Sequence, residues 1–334
     1  MDKTPVSILT NIKSMCPTFS IIIPHYDIPD LLMRCLKSIP VSEDIQVIVV
    51  DDNSPDADTY LERYPELSRP YLEFIRASKN GGAGYARNIG LDHAKGKWLL
   101  FADADDFFVG NMYDIINTNV ESDADVIYFQ KRAVYSDDIN RKSPRSGYLD
   151  RIMDIYLKTG DELPVRTRHH VPWGKMIKKS LIENHRIRFE EIKYSNDILF
   201  SVHVGYFAKK IEAIDTILYV VTSREGSATS NFCLKPDELR IRAEAAFRYD
   251  SFLFQHNMSQ GREFVSYIKR MLSQDRNLFK YYFTRLDEIY PSKIAALKDI
   301  CNSSSLGFKV VFYLYSLIIW ISHCLSASET WHNY

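Results

Sequence analysis

Residues 97–106 read Lys97-Trp98-Leu99-Leu100-Phe101-Ala102-Asp103-Ala104-Asp105-Asp106, an apolar run that discharges into three carboxylates. A short apolar run without polar alternation is the signature of a strand covered on both faces. Sheets built from such strands are mostly parallel, and they bind ligands where the strands end. The carboxylates therefore fall where a ligand is expected. An Asp-x-Asp spacing sends both side chains off an extended strand on the same side, and hard oxygen ligands of this kind suit Mg²⁺ or Mn²⁺. The bland alternative is a solvated turn whose aspartates cap the next helix.

The same pattern repeats on either side of this stretch. Phe19 to Ile23 is an apolar, β-branched run ended by Pro24, and Ile45 to Val50 ends in Asp51-Asp52-Asn53. Tyr71 to Ile75 reads as a third strand, Lys97 to Ala102 as a fourth, Val126 to Phe129 as a fifth and Thr216 to Val221 as a late one. Helical patterns lie between them. Pro29 opens one that carries Leu32, Leu36 and Ile39 and stops at Pro40. Gly81-Gly82 leads into another with Tyr85, Ala86, Ile89 and Ala94, and Met112, Ile115 and Ile116 mark a third. Ser54-Pro55 suits a helix N-cap and first turn. Strands alternating with helices place the chain in the α/β class.

Residues 131–170 are more polar and irregular, with one helix around Ile152 to Leu157. A helix is expected directly after Trp173-Gly174-Lys175. Ser195 reads as the cap of another, placing Asp197 in its first turn. The helix dipole there favours the ionised carboxylate, which is the form a general base needs, although a carboxylate that merely improves the helix end is the commoner case. From Pro236 onward the pattern is helical. The expected organisation is an N-terminal extension (1–17), a main domain (18–230, with a nucleotide-binding half 18–130 and an acceptor half 131–230), a helical region (231–305) and an apolar C-terminal helix (306–334).

The 334 residues carry 42 basic and 43 acidic side chains, a net charge of -1, which argues against a nucleic-acid-coating role. Hydrophobic residues at 46% are ample for a core, and disorder as the main state is not expected. The 5 cysteines are scattered with no CxxC spacing, so free thiols in a reducing cytosol are expected rather than a zinc site. The first residues lack the apolar core of a secretory signal. Val310 to Ile321 is apolar except for Ser316. That is short of the ~20 residues a spanning helix needs, and suits a helix lying in a membrane interface or docked on the domain.

Two further motifs sit at the expected ligand edge. Asp51-Asp52-Asn53-Ser54 holds more acceptors than a turn needs, so an aspartate is left to read a base N–H or a ribose hydroxyl. Asn80-Gly81-Gly82-Ala83-Gly84 lets backbone approach a ligand, but no Gly-Lys-Ser/Thr follows as in a Walker loop. The dinucleotide fingerprint is missing too, because the first strand ends in Pro24-His25-Tyr26. Arg166, Arg168, His169, His170, Lys175 and Arg224 are cations able to hold phosphates, although each taken singly is an ordinary surface charge.

Taken together these motifs resemble the inverting family 2 glycosyltransferases of the GT-A fold, of the kind that builds bacterial surface polysaccharides. The matching residues are Pro24-His25-Tyr26-Asp27, Asp51-Asp52-Asn53-Ser54, Asn80-Gly81-Gly82, Ala86-Arg87-Asn88-Ile89-Gly90 and Asp103 to Asp106. They continue with Trp173-Gly174-Lys175, Asn196-Asp197-Ile198-Leu199-Phe200 and Arg224-Glu225-Gly226-Ser227. Asp27 stands where the family has Asn, and Asn196 where it has Glu, which halves an acidic pair. The resemblance implies a Rossmann-like, mostly parallel mixed sheet flanked by helices, with a C-terminal helical extension. It implies a UDP-sugar donor, with Pro24, Tyr26, Asp52, Asn80, Gly82, Arg87, Asp103, Arg224 and Ser227 around it. Tyr26 would stack on the base and Asp52 accept from the uracil N–H. Asp103 and Asp105 would hold Mn²⁺ or Mg²⁺, Asp197 would be the general base, and Trp173 and Lys175 would lie near a glycan or lipid-linked glycan acceptor. A cytoplasmic enzyme at the inner face of the membrane follows, with no nucleic-acid partner and peripheral membrane contact through the C-terminal helix. The halved pair keeps a non-catalytic nucleotide-sugar binder open, and a nicotinamide-dependent oxidoreductase is the more distant alternative.

Overall fold

The structure is a computed structural model, and it describes residues 6–9, 17–224, 235–258, 263–302 and 312. The chain divides into two compact units, residues 1–232 and 233–334. In the first, the strands are β1 (Val6–Leu9), β2 (Phe19–His25), β3 (Ile45–Asp51), β4 (Leu72–Arg76), β5 (Trp98–Phe101), β6 (Phe107–Phe108), β7 (Val126–Tyr135), β8 (Lys175–Lys178) and β9 (Ile211–Ser223). Its helices are α1 (Pro29–Lys37), α2 (Tyr60–Arg63), α3 (Gly82–His93), α4 (Met112–Thr118), α5 (Gly147–Thr159), α6 (Leu163–Arg168), α7 (Lys179–His185) and α8 (Ile198–Phe207).

The strands form one mixed sheet in the order β1-β4-β3-β2-β5-β8-β7-β9-β6. Four neighbouring strands are parallel: β3 runs with β4 and β2, and β2 with β5. Every residue of β2 and β3 is buried, which is why neither run alternates. The register sets His25 beside Asp51 and Ile22 beside Phe101, so the carboxyl ends of β2, β3 and β5 share one edge. β8 runs antiparallel to β5 with Leu99 opposite Ile177, which brings its first residue, Lys175, to that edge. β6 pairs antiparallel with the end of β9 (Phe107 with Val220), so the 103–106 turn lies beside residues 222–224.

Several boundaries differ from the sequence reading. Val6–Leu9, within the expected N-terminal extension, pairs antiparallel with β4. β7 runs on to Tyr135 through residues expected to be irregular, because its pairing with β9 continues across two register shifts. Lys175–Lys178 forms a strand before the expected helix, and β9 starts at Ile211 rather than Thr216. Ser54 does not cap a helix. Its hydroxyl donates to Asp51 at 2.6 Å, and the next helical turn starts at Ala57.

The second unit contains α9 (Pro236–Gln255), α10 (Val265–Gln274), α11 (Arg276–Thr284) and α12 (Lys293–Asn302). It has its own aromatic core of Phe247, Phe264, Phe279, Tyr282 and Phe283, and Phe312 is buried in it. The remainder of Val310 to Ile321, and Glu225 to Ser227, lie outside the described residues. Among the described residues no helix is long and apolar enough to cross a membrane.

Candidate active site

The shared strand edge is built from its buried base upward. His25 Nε2 accepts from the Ile28 amide at 3.2 Å, which fixes the proton on Nδ1, and that N–H donates to Asp51 Oδ1 at 2.9 Å. Asp51 also accepts from the amide and hydroxyl of Ser54, and the Ser54 hydroxyl accepts from the Asp27 amide. This network holds Asp27 at a φ of 51° and leaves Tyr26 as an exposed aromatic ring, 47% accessible, at the rim. Pro24 is buried inside β2.

Asp52 accepts from the Gly81 and Gly82 amides at 2.8 and 2.7 Å, and so ties the end of β3 to the start of α3. Burial pushes its carboxyl above the ordinary range, against those two bonds. Gly82 has a φ of +83°, a conformation that side-chain-bearing residues rarely adopt. Asn80 is exposed just before the turn.

Beyond β5 the carboxylates converge, though not by strand alternation as expected. β5 stops at Phe101, and Asp103 and Asp105 lie in the following turn. One oxygen from each of Asp103, Asp105 and Asp106 lies within 4.8 Å of the others. Arg87 donates to Asp103 Oδ1 at 2.6 Å, and Arg224 Nε donates to Asp105 Oδ2 at 3.0 Å. Asp106 is buried and accepts from the Thr222 amide, while its other oxygen has no partner. Burial, with Asp103 and Asp105 beside it, pushes the Asp106 carboxyl well up. Three hard oxygen donors, one of them unpartnered, fit a divalent cation of the magnesium or manganese type.

Asp197 differs from its expected place. It occupies the N-cap position of α8, not the first turn, and makes no side-chain capping bond. Ser195 has a φ of 59° and does not cap. The carboxylate remains at the positive end of the helix. Burial raises its pKa, Arg87 and then Lys175 pull it down, and Asp103 pushes it up. The expected base and the expected metal ligand thus feel each other's charge.

Residues 189–197 are fastened to α3. Asn88 exchanges side-chain bonds with the backbone of Phe189 at 2.9 and 3.0 Å. Arg87 Nη1 donates to Asn196 Oδ1 at 2.9 Å, and its guanidinium lies 5.2 Å from the centre of the Phe189 ring. Phe189 stacks on Phe200 of α8, with ring centres 3.7 Å apart.

Trp173 and Lys175 are both buried. Trp173 stacks on Tyr219, whose hydroxyl accepts from the Asp103 amide at 2.8 Å. Lys175 Nζ donates to the His169 carbonyl at 2.8 Å, and burial pulls its pKa down to about 7. Ser227 lies outside the described residues. Sequence reasoning missed the structural parts played by His25, Asn196 and Tyr219. Only the halved acidic pair signalled any of them.

Three comparisons bear on this site. Residues 20–186 match the family model described as glycosyl transferase family 2. The chain is 26% identical over 213 residues to EpsH of Bacillus subtilis strain 168, covering 61% of this chain and 60% of that one. It is 27% identical over 226 residues to the poly(ribitol-phosphate) beta-glucosyltransferase of Bacillus spizizenii, covering 65% of this chain and 34% of that one. It therefore spans only 34% to 60% of the length of these relatives. Among solved structures, residues 1–349 of S. aureus TarS in complex with UDP-GlcNAc share the fold. The TM-score is 0.52 at 24% identity, over 79% of this chain and 75% of that one. The mannosyltransferase PcManGT of Pyrobaculum calidifontis, in complex with GDP-Man and Mn²⁺, gives a TM-score of 0.50 at 16% identity, over 91% and 81% of the two chains.

Proposed function

The chain belongs to glycosyl transferase family 2 and has the GT-A fold, and from that premise we propose that it moves a sugar from a UDP-sugar to a hydroxyl of a bacterial surface polymer, inverting the anomeric centre. The observation that carries this reading is the Arg87 fork. One guanidinium bonds both Asp103, in the carboxylate cluster, and Asn196, next to Asp197. One side chain thereby joins the carboxylate cluster to the segment that carries Asp197, which supports leaving-group and base chemistry close together.

Asp103 and Asp105, with Asp106 behind them, would hold a divalent cation, which supplies positive charge against a departing diphosphate. Arg224, on the same rim, adds a cationic donor there. Tyr26 is exposed where a base could stack, and Asp52 stiffens the turn at the start of α3. At the other side Asp197 takes the proton of the acceptor hydroxyl onto a carboxylate oxygen. The hydroxyl oxygen bonds to the anomeric carbon as the bond from that carbon to the diphosphate oxygen breaks, and the electron pair leaves with UDP. Attack opposite the leaving group is a single displacement, which inverts. The burial that raises Asp197 also strengthens it as a base.

UDP as the nucleotide and a teichoic-acid or exopolysaccharide type of acceptor are supported by the relatives. TarS of Staphylococcus aureus is named a poly(ribitol-phosphate) beta-N-acetylglucosaminyltransferase and is solved with UDP-GlcNAc. The test is nucleotide release from a panel of UDP-, GDP- and CMP-sugars, with and without Mn²⁺, in the presence of polyol-phosphate and lipid-linked glycan acceptors. Mn²⁺-dependent release of UDP, with an inverted product by NMR, is expected. Binding of donors without turnover on any acceptor would favour a nucleotide-sugar binder instead.

A further inference from the structure

Arg87 is a buried cation held at three points. Nη1 donates to Asn196 Oδ1 at 2.9 Å, Nη2 donates to Asp103 Oδ1 at 2.6 Å, and the guanidinium plane rests over Phe189. Arg87 and Asn196 are 5% and 8% exposed. The forked guanidinium spans two acceptors in fixed geometry through Nη1 and Nη2, while its buried Nε has no hydrogen-bond partner. Here the second acceptor is a neutral amide. Asn196 occupies the place where the resemblance puts a glutamate, so a charge is missing but an acceptor oxygen is not. The amide precedes Asp197 directly, and Gly84, on the same face of α3 as Arg87, lets the helix lie close against the Asn196 side chain.

We propose that Asn196 is a positioning residue: its amide oxygen, by holding Arg87 on Asp103, sets the place of Asp197 relative to the carboxylate cluster. Asn196 itself neither donates to nor accepts from the substrate. The substitution of Glu by Asn leaves the clamp working, and the halved acidic pair is not a sign of lost catalysis. The inference rests on the proposed transfer reaction.

The full-length protein is tested as three variants. Asn196→Leu keeps the branching at Cγ and removes the acceptor, Asn196→Asp keeps the acceptor, and Arg87→Lys keeps the charge and removes the fork. Misplacing a reacting group by about 1 Å costs on the order of a hundredfold in rate. Asn196→Leu is therefore expected to lower kcat about ten- to a hundredfold with the KM for the UDP-sugar within about threefold of the parent, Arg87→Lys, which also loosens Asp103, to lower kcat at least as far, and Asn196→Asp to keep kcat near the parent's. Asn196→Leu with the parent kcat, or Asn196→Asp as slow as Asn196→Leu, overturns the proposal. A double-mutant cycle on thermal unfolding (Asn196→Leu, Arg87→Met and both) reads the contact whether or not transfer is seen. Non-additive losses support the clamp and additive losses overturn it. Non-additive losses in a protein inert to every donor would condemn the proposed reaction and leave the clamp standing.

Discussion

Three aspartates in four residues do three different things. Asp103 is paired with Arg87 and Asp105 with Arg224, while Asp106 is buried with one oxygen bonded to the Thr222 amide. Asp105→Asn is expected to weaken Mn²⁺-dependent binding of a UDP-sugar by at least about tenfold. Asp106→Asn keeps the shape and the Thr222 bond and is expected to cost less; equal losses by calorimetry would contradict that difference. Lys175 gives a stability test. Its pKa falls from 10.5 to about 7 through burial, so between those values the unfolded chain binds more protons than the folded one. This group therefore makes stability rise with pH from about 7 toward 10. Lys131, lowered to about 8, acts in the same direction. In urea unfolding between pH 7 and 9, Lys175→Met is expected to show a smaller rise than the parent; an unchanged slope would refute the buried charge. The identities of these residues were legible in the sequence because carboxylates and cations stand out against apolar strands. Their partners were not, since Thr222 and Tyr219 come from a strand more than a hundred residues away.

The element that organises the site is α3. Its start is tied to β3 through Asp52, and one face, carrying Gly84, Arg87 and Asn88, grips residues 189–197. The sequence announced this helix by its Gly-Gly start and its apolar positions, and the parallel strands by their unbroken runs. It did not announce β8, because four residues in Lys-Met-Ile-Lys are too few for a period to show. Nor did it show that Asp197 takes the N-cap position of α8, since Ser195 and Asn196 are equally good cap residues by type. Gly84 carries an element-scale prediction. A Cβ there would fall on the Glu190 carbonyl oxygen, which is backbone and cannot turn away. Gly84→Ala is therefore expected to destabilise the protein by about 1–3 kcal/mol, read as a lower urea midpoint, and to slow transfer by shifting the base-bearing segment. A variant as stable and active as the parent would show that α3 does not grip this segment.

At the scale of the molecule, the residues that follow β2, β3 and β5, among them Tyr26, Asp52 and the 103–106 turn, lie with Lys175 and Arg224 on one edge of the sheet in the first unit. That edge exists because β2, β3 and β5 run parallel and in register, while β6 and β8 turn the flanking loops toward it. The second unit has a separate aromatic core and adds none of these residues. A hydrophobic pattern sufficed to read β2, β3 and β5, every residue of which is buried. The second half of the sheet mixes directions and bulges, and its order depends on contacts that no local pattern encodes. The central proposal is a division of labour in which Asp103 and Asp105 serve the donor and Asp197 the acceptor. The most direct measurement is transfer rate and UDP-sugar affinity for Asp197→Asn, side by side with the parent in Mn²⁺. Loss of a general base costs about 10²- to 10⁴-fold in rate, so the account predicts a fall of that size with donor affinity unchanged. Transfer at the parent rate would contradict it.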